Sequence, residues 1–168
     1  MEQKRYRNRF QSFEKSLSSL EEARTRDLTD TFVISGTVQK FCLTFDISWK
    51  VMVDIVVGYH KIESFASGSP RETLRISAQL GLISGDIWIQ MLLERNELTH
   101  DYDGSLAREA AKRIVDSYLP VFEQFRDTAA GYLDKMDQDI RLSKTAENHV
   151  HLPKWAWVNA VADFECTF

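Results

Sequence analysis

Glycine and proline are scarce in this chain, seven and three among 168 residues. Long uninterrupted segments are therefore available, which helices need and turn-rich β folds lack. The two cysteines, Cys42 and Cys166, lie far apart and provide neither a disulfide framework nor a paired metal knuckle. Long apolar runs are absent as well. The most apolar stretch, around Val51 to Val57, is flanked and broken by Asp46, Lys50 and Asp54, so it reads as a buried helix and not a membrane span. The basic N-terminus is followed by amphipathic sequence and not by an apolar signal core, so a reducing cytoplasm is the expected location. Positive charge is not in excess. A formal net charge of −4 argues against a protein that coats nucleic acid non-specifically. Two local basic clusters remain, Lys4, Arg5, Arg7 and Arg9, and Arg108, Lys112 and Arg113; each reads as solvated charge on a helix face.

What the chain has is helical periodicity. Tyr6, Phe10, Phe13, Leu17 and Leu20 recur at steps of three and four and form one stripe of a first helix. Asp30 is placed to cap a second helix over about 32–57. That helix is apolar nearly all round, which assigns it to the centre of a bundle; its polar residues Gln39, Asp46, Lys50 and Asp54 share one narrow stripe that is expected to face water or a polar interface. Ser69-Pro70-Arg71-Glu72 combines a capping serine, proline at the first helical position and glutamate three after the cap, and Gly81 closes the helix so opened. A fourth helix runs from near Ser84 towards His100. The last begins near Leu106 and carries Ala110, Ile114, Tyr118, Val121 and Phe125, with Pro120 expected to kink it. Beyond Asp127 the pattern weakens. The apolar ending WAWVNAVADFECTF has helical spacing of its own, for docking on the bundle or on a partner. One domain is expected over 1–126, an all-α up-and-down bundle of four to five helices, with 127–168 as a partly helical extension of unassigned role.

Chemistry-bearing residues gather in one place. Arg95, Asn96, His100, Asp101, Tyr102 and Asp103 lie where the fourth helix ends and a turn begins, a position from which polar groups face a cleft. His100 is five residues after Arg95, about 140° round an ideal helix. The two converge only if the helix loosens or if a two-fold axis brings a second copy of the patch. A surface ion-pair cluster is the alternative. His149 and His151 lack a third ligand of clear spacing, so no metal site is expected, and His60 is expected to be solvated. No cofactor is implied.

The run Phe41-Cys42-Leu43-Thr44-Phe45-Asp46-Ile47-Ser48-Trp49-Lys50, then Pro70-Arg71-Glu72 with Gly81-Leu82-Ile83, then Trp88 to Asn96 and His100-Asp101-Tyr102-Asp103 resembles the nucleotidyltransferase substrate-binding family of the HEPN superfamily. The resemblance covers roughly residues 5 to 126. It departs from the family pattern at Cys42 and Asp46, where glutamate is usual. The Arg-x4-His-x-Tyr core is intact at Arg95, His100 and Tyr102. The resemblance implies a homodimer that works beside a minimal nucleotidyltransferase. On one reading it is a toxin-like, metal-independent endoribonuclease of a toxin–antitoxin pair. Arg95 and His100 are then catalytic, Asn96, Asp101 and Asp103 supporting, and Tyr102 is nucleotidylated by the partner to silence it. RNA supplies its own nucleophile, the 2′-hydroxyl, so a histidine that moves protons and an arginine that stabilises phosphorane charge need no metal. On the other reading the chain is a non-catalytic substrate-binding subunit. The nucleotidyltransferase signature itself, Gly-Ser followed by Asp-x-Asp on neighbouring strands, is absent.

Overall fold

The computed structural model describes residues 2–62, 65, 68–100 and 106–150, without the side chains of 2–4 and 146–150. Within them every regular element is helical. The elements are α1 (Glu2–Glu21) with a 3₁₀ turn (Glu22–Thr25), α2 (Thr31–Gly58), α3 (Pro70–Gln79), α4 (Gly85–Thr99), α5 (Ala107–Arg113) and α6 (Leu119–Val150). Residues Met1–Leu133 form one compact unit and Asp134–Phe168 a second. The described part of the second unit is the distal run of α6, on which Leu142 is exposed.

The first unit is an up-and-down bundle with α2 at its centre, packed against α1, α3, α4 and α5. The stripe Tyr6, Phe10, Phe13, Leu17 and Leu20 is buried throughout, and Phe13 meets Phe122 and Phe125 edge-on. Phe41, Phe45, Trp88 and Phe122 complete an aromatic core. Burial of side chains this size contributes roughly 1.5–3 kcal/mol each before the entropy of ordering is set against it.

Helix starts and stops follow the local chemistry. Asp30 Oδ1 accepts from the backbone N–H groups of Phe32 at 2.7 Å and Val33 at 3.4 Å, satisfying two donors that α2 leaves free. Ser69 Oγ accepts from Glu72 N–H at 3.3 Å, and Pro70 opens α3. At the far end of α3 the Leu82 N–H donates to the Ser77 carbonyl and the Gly81 N–H to the Ala78 carbonyl, with Gly81 at φ 72°. This paired arrangement requires a left-handed residue, which explains the glycine.

Pro120 is accommodated by a π turn. Between α5 and α6, Ile114–Tyr118 is wound so that the Leu119 N–H donates to the Ile114 carbonyl, five residues back. The expected buried stripe passes through Val121, but the observed one runs Ala110, Ile114, Tyr118, Phe122, Phe125. Three consecutive steps of four would drift by about 40° each on an ideal α-helix. The wider turn absorbs that drift and lets the helix continue past a residue with no N–H. Contrary to the weakening pattern beyond Asp127, α6 then continues to Val150.

Candidate functional site

The polar stripe of α2 does not face water alone. Asp46 is part of a cleft of about 280 Å³ that lies between α2, α3 and α4. From α2 come Phe45, Asp46, Trp49 and Lys50, which the i, i+1, i+4, i+5 spacing places on adjoining strips of one face. Pro70 at the start of α3 and Leu92, Arg95 and Asn96 of α4 form the other walls. Phe45 and Leu92 are buried, so the floor is apolar while the rim carries charge.

Arg95 is held in place by Asp46. Its Nη2 donates to Asp46 Oδ2 at 2.7 Å, and Nη1 makes a longer 3.3 Å contact with Asn96 Oδ1. The hydrogen bond to Asp46 raises the guanidinium pKa against the opposing effect of burial, so Arg95 stays charged. Its Nε is buried and has no hydrogen-bond partner among the described residues. One turn before Asp46, burial pushes the Cys42 thiol up, against the nearby positive charge of Arg95. Lys50 lies at the mouth, its ammonium 5.6 Å from the Trp49 ring centroid.

A second polar network stands behind α4. Glu94, next to Arg95 in sequence, is buried; it accepts from Arg113 Nε at 3.0 Å and Nη2 at 2.6 Å, and Tyr118 donates its hydroxyl to Oε2. Burial first, then the bond to Glu94, raises the Tyr118 phenol above its ordinary value, so it remains a neutral donor. The network ties α4 to α5 and the π turn, fixing the helix that carries Arg95.

Of the residues expected to act together, Arg95 and Asn96 line the cleft. His100 does not: it caps α4, exposed, with its N–H donating to the carbonyls of Glu97 and Leu98. Of the two ways for His100 to meet Arg95, a loosened helix or a two-fold axis, the first is not seen within α4, which is regular to Thr99. Asp101, Tyr102 and Asp103 lie outside the described residues, as do His151, Cys166 and the apolar ending. His60 is not freely solvated. It is half-buried, its ring 5.0 Å from that of Tyr59 and 5.7 Å from that of Tyr132, with Nε2 buried and unpartnered among the described residues. Asp46 and Lys50 were legible as members of the α2 polar stripe, Trp49 only within the run that carries the family resemblance, and Glu94 gave no signal. Among the described residues no group of three or more His, Cys, Asp or Glu side chains is arranged to hold a metal ion, and no helix is long and apolar enough to cross a membrane.

The structure defines an all-α up-and-down bundle with a charged cleft on its side. The chain matches, over residues 8–130, the family described as nucleotidyltransferase substrate binding protein like, and it belongs to that family. No curated protein matches it.

Proposed function

We propose that this chain is the helical partner of a minimal nucleotidyltransferase and that the Arg95 cleft is its ligand site. One observation carries the site: a guanidinium fixed by Asp46 at 2.7 Å lines an open cleft together with Lys50 of a second helix. The family description supports the partnership. Co-expression with a minimal nucleotidyltransferase from the same genome tests it. The two chains are expected to co-elute at a fixed ratio in size-exclusion chromatography, and separate elution with every such enzyme overturns the reading.

A second reading is favoured by the placement of His100. It lies exposed at the end of the helix that carries Arg95, with no ion pair among the described residues. Two copies related by a two-fold axis at the α4 ends would bring His100 of one to Arg95 of the other. In that homodimer, of HEPN type over 1–126, the chain is a toxin-like endoribonuclease of the cytoplasm. His100 moves the proton of the 2′-hydroxyl, Arg95 stabilises the charged phosphorane, and nucleotidylation of Tyr102 by the partner silences the site. Cleavage of RNA by the purified dimer in EDTA, with 2′,3′-cyclic phosphate ends, decides between the two readings.

A further inference from the structure

We propose that the outer strip of α2 is self-complementary, and that through it two copies pair antiparallel so that the acids at the start of one α2 meet Lys50 of the other. This rests on the homodimer of the second reading, gives it a surface, and does not need its ribonuclease chemistry. Helical spacing puts Phe32, Gly36, Leu43, Ile47 and Lys50 on one strip of α2. Asp46, on the border of that strip, is engaged by Arg95. Phe32 and Leu43 are 86% and 56% exposed, so no element of the chain covers the strip. Large apolar side chains left open in a row are what a subunit contact buries.

A two-fold axis between Gln39 and Lys40 makes the strip match itself in size, polarity and charge. Gly36 then meets the partner's Leu43, Phe32 meets the partner's Ile47, and each pairing recurs on the other side of the axis. A Cβ built on Gly36 would find nothing within 4 Å, so the glycine leaves a hollow that a leucine knob fills. Lys50 is exposed at one end of the strip. At the other end Asp27 and Asp30 are exposed and make their bonds within the chain through Oδ1, to Thr29 and to the first turn of α2. The two ends lie about 30 Å apart along one helix axis, so these charges can meet only between copies. A parallel pairing would instead set lysine on lysine and leucine on leucine. Lys50 also lines the Arg95 cleft, so the partner's acids become part of the charge at its mouth.

Sedimentation of the full chain from micromolar to near-millimolar concentration tests this, because one helix pair is a small interface and association in the micromolar range is expected. Gly36→Leu fills the hollow while meeting nothing in its own chain. It is expected to weaken the dimer at least about ten-fold with the melting temperature unchanged or raised, since leucine is the better helix former. Lys50→Glu and Asp27→Lys are each expected to weaken it, and the two together to restore the wild-type affinity to within about three-fold. Restoration by residues at opposite ends of α2 can act only between copies. A monomer at every concentration overturns the proposal, as does a dimer that tolerates Gly36→Leu or a charge swap that recovers nothing. RNA cleavage is followed on the same samples. A dimer that meets these tests without cleaving RNA keeps this inference and removes the ribonuclease chemistry, whereas cleavage by a dimer that tolerates Gly36→Leu keeps that chemistry and removes the α2 contact.

Discussion

The Asp46 carboxylate accepts a hydrogen bond from Arg95 Nη2 at 2.7 Å across 49 positions of sequence, joining α2 to α4. The same α2 stripe reaches α1 through Asp54, which pairs with Arg9 at 2.6 Å. Two acids two turns apart thus serve different neighbours, and their surroundings give them different energetic roles.

The Asp46 pair is about a third exposed at both ends, with side-chain exposures of 34% and 29%. Solvent screens such a pair, so Asp46→Ala is expected to cost no more than about 1 kcal/mol in unfolding free energy. Urea denaturation measures it. A cost above roughly twice that would make the pair a structural clamp and remove the argument that it exists to orient Arg95.

Asp54 behaves differently because burial raises its carboxyl pKa and Arg9 only partly opposes the shift. A carboxyl raised above its unfolded value costs stability when ionised at neutral pH, and that cost is recovered as pH falls through the folded value. Arg9→Met is therefore expected to destabilise at pH 7 by about 1–3 kcal/mol, since it leaves the carboxylate without its partner. The double variant with Asp54→Asn should lose less than Arg9→Met alone. A double-mutant cycle by thermal melts checks this, and strictly additive losses would show that the charges are not coupled.

Tyr118 gives the opposite end of the pH scale. Its phenol is raised by burial and by the bond to Glu94, so folding favours the neutral form. Its contribution is fully present below the ordinary tyrosine value, near pH 10, and is lost as pH rises from there towards the folded value, because only the unfolded chain ionises in that window. Tyr118→Phe is expected to cost about 1–2 kcal/mol at pH 8 and less at pH 11. Denaturation curves at the two pH values test the sign; a gap that widens with pH would contradict the proposed linkage.

Much of this fold is written locally. The α1 stripe, the caps at Asp30 and Ser69 and the stop at Gly81 each depend on residues within one or two turns, which is why periodicity and cap chemistry reveal them. The π turn was hidden because its sign is a register: Phe122 and not Val121 is buried, and only the bundle decides which. Cross-helix partners were hidden for the same reason. Nothing in the α2 stripe says that Asp46 meets Arg95, and Glu94 looks like any surface glutamate until α5 brings Arg113 to it. Arg95 and Asn96 stood out as candidates, while Trp49 and Lys50 became part of a site only once three helices enclosed a cleft.

Gly81 isolates a pure backbone effect. Its φ is 72°, and a Cβ built there meets nothing within 4 Å. Gly81→Ala should therefore cost about 1–2 kcal/mol through conformation alone, and Gly81→Asn less, since asparagine tolerates the left-handed region. Melting temperatures of the two variants give the order. Equal losses would point to a packing role that the open space around the residue does not suggest.

The sharpest functional prediction concerns Arg95 and His100 together. If the homodimeric endoribonuclease reading holds, wild-type chain cleaves RNA in EDTA, and Arg95→Ala and His100→Ala each reduce the rate by roughly a hundred- to ten-thousand-fold. Because His100 is exposed and the Arg95 ion pair is screened, neither change should cost more than about 1 kcal/mol of stability, so loss of activity will not reflect unfolding. The two variants are also expected to complement each other. A mixed dimer of Arg95→Ala and His100→Ala protomers keeps one intact pair across the two-fold axis only if the pair is built from different chains; if each chain supplies both residues of its own site, mixing restores nothing. Tyr102→Phe should leave cleavage intact and abolish nucleotidylation by the partner enzyme, read by intact-mass spectrometry. RNA that survives the wild-type dimer under these conditions, while the nucleotidyltransferase complex still forms, returns the Arg95 cleft to a purely binding role.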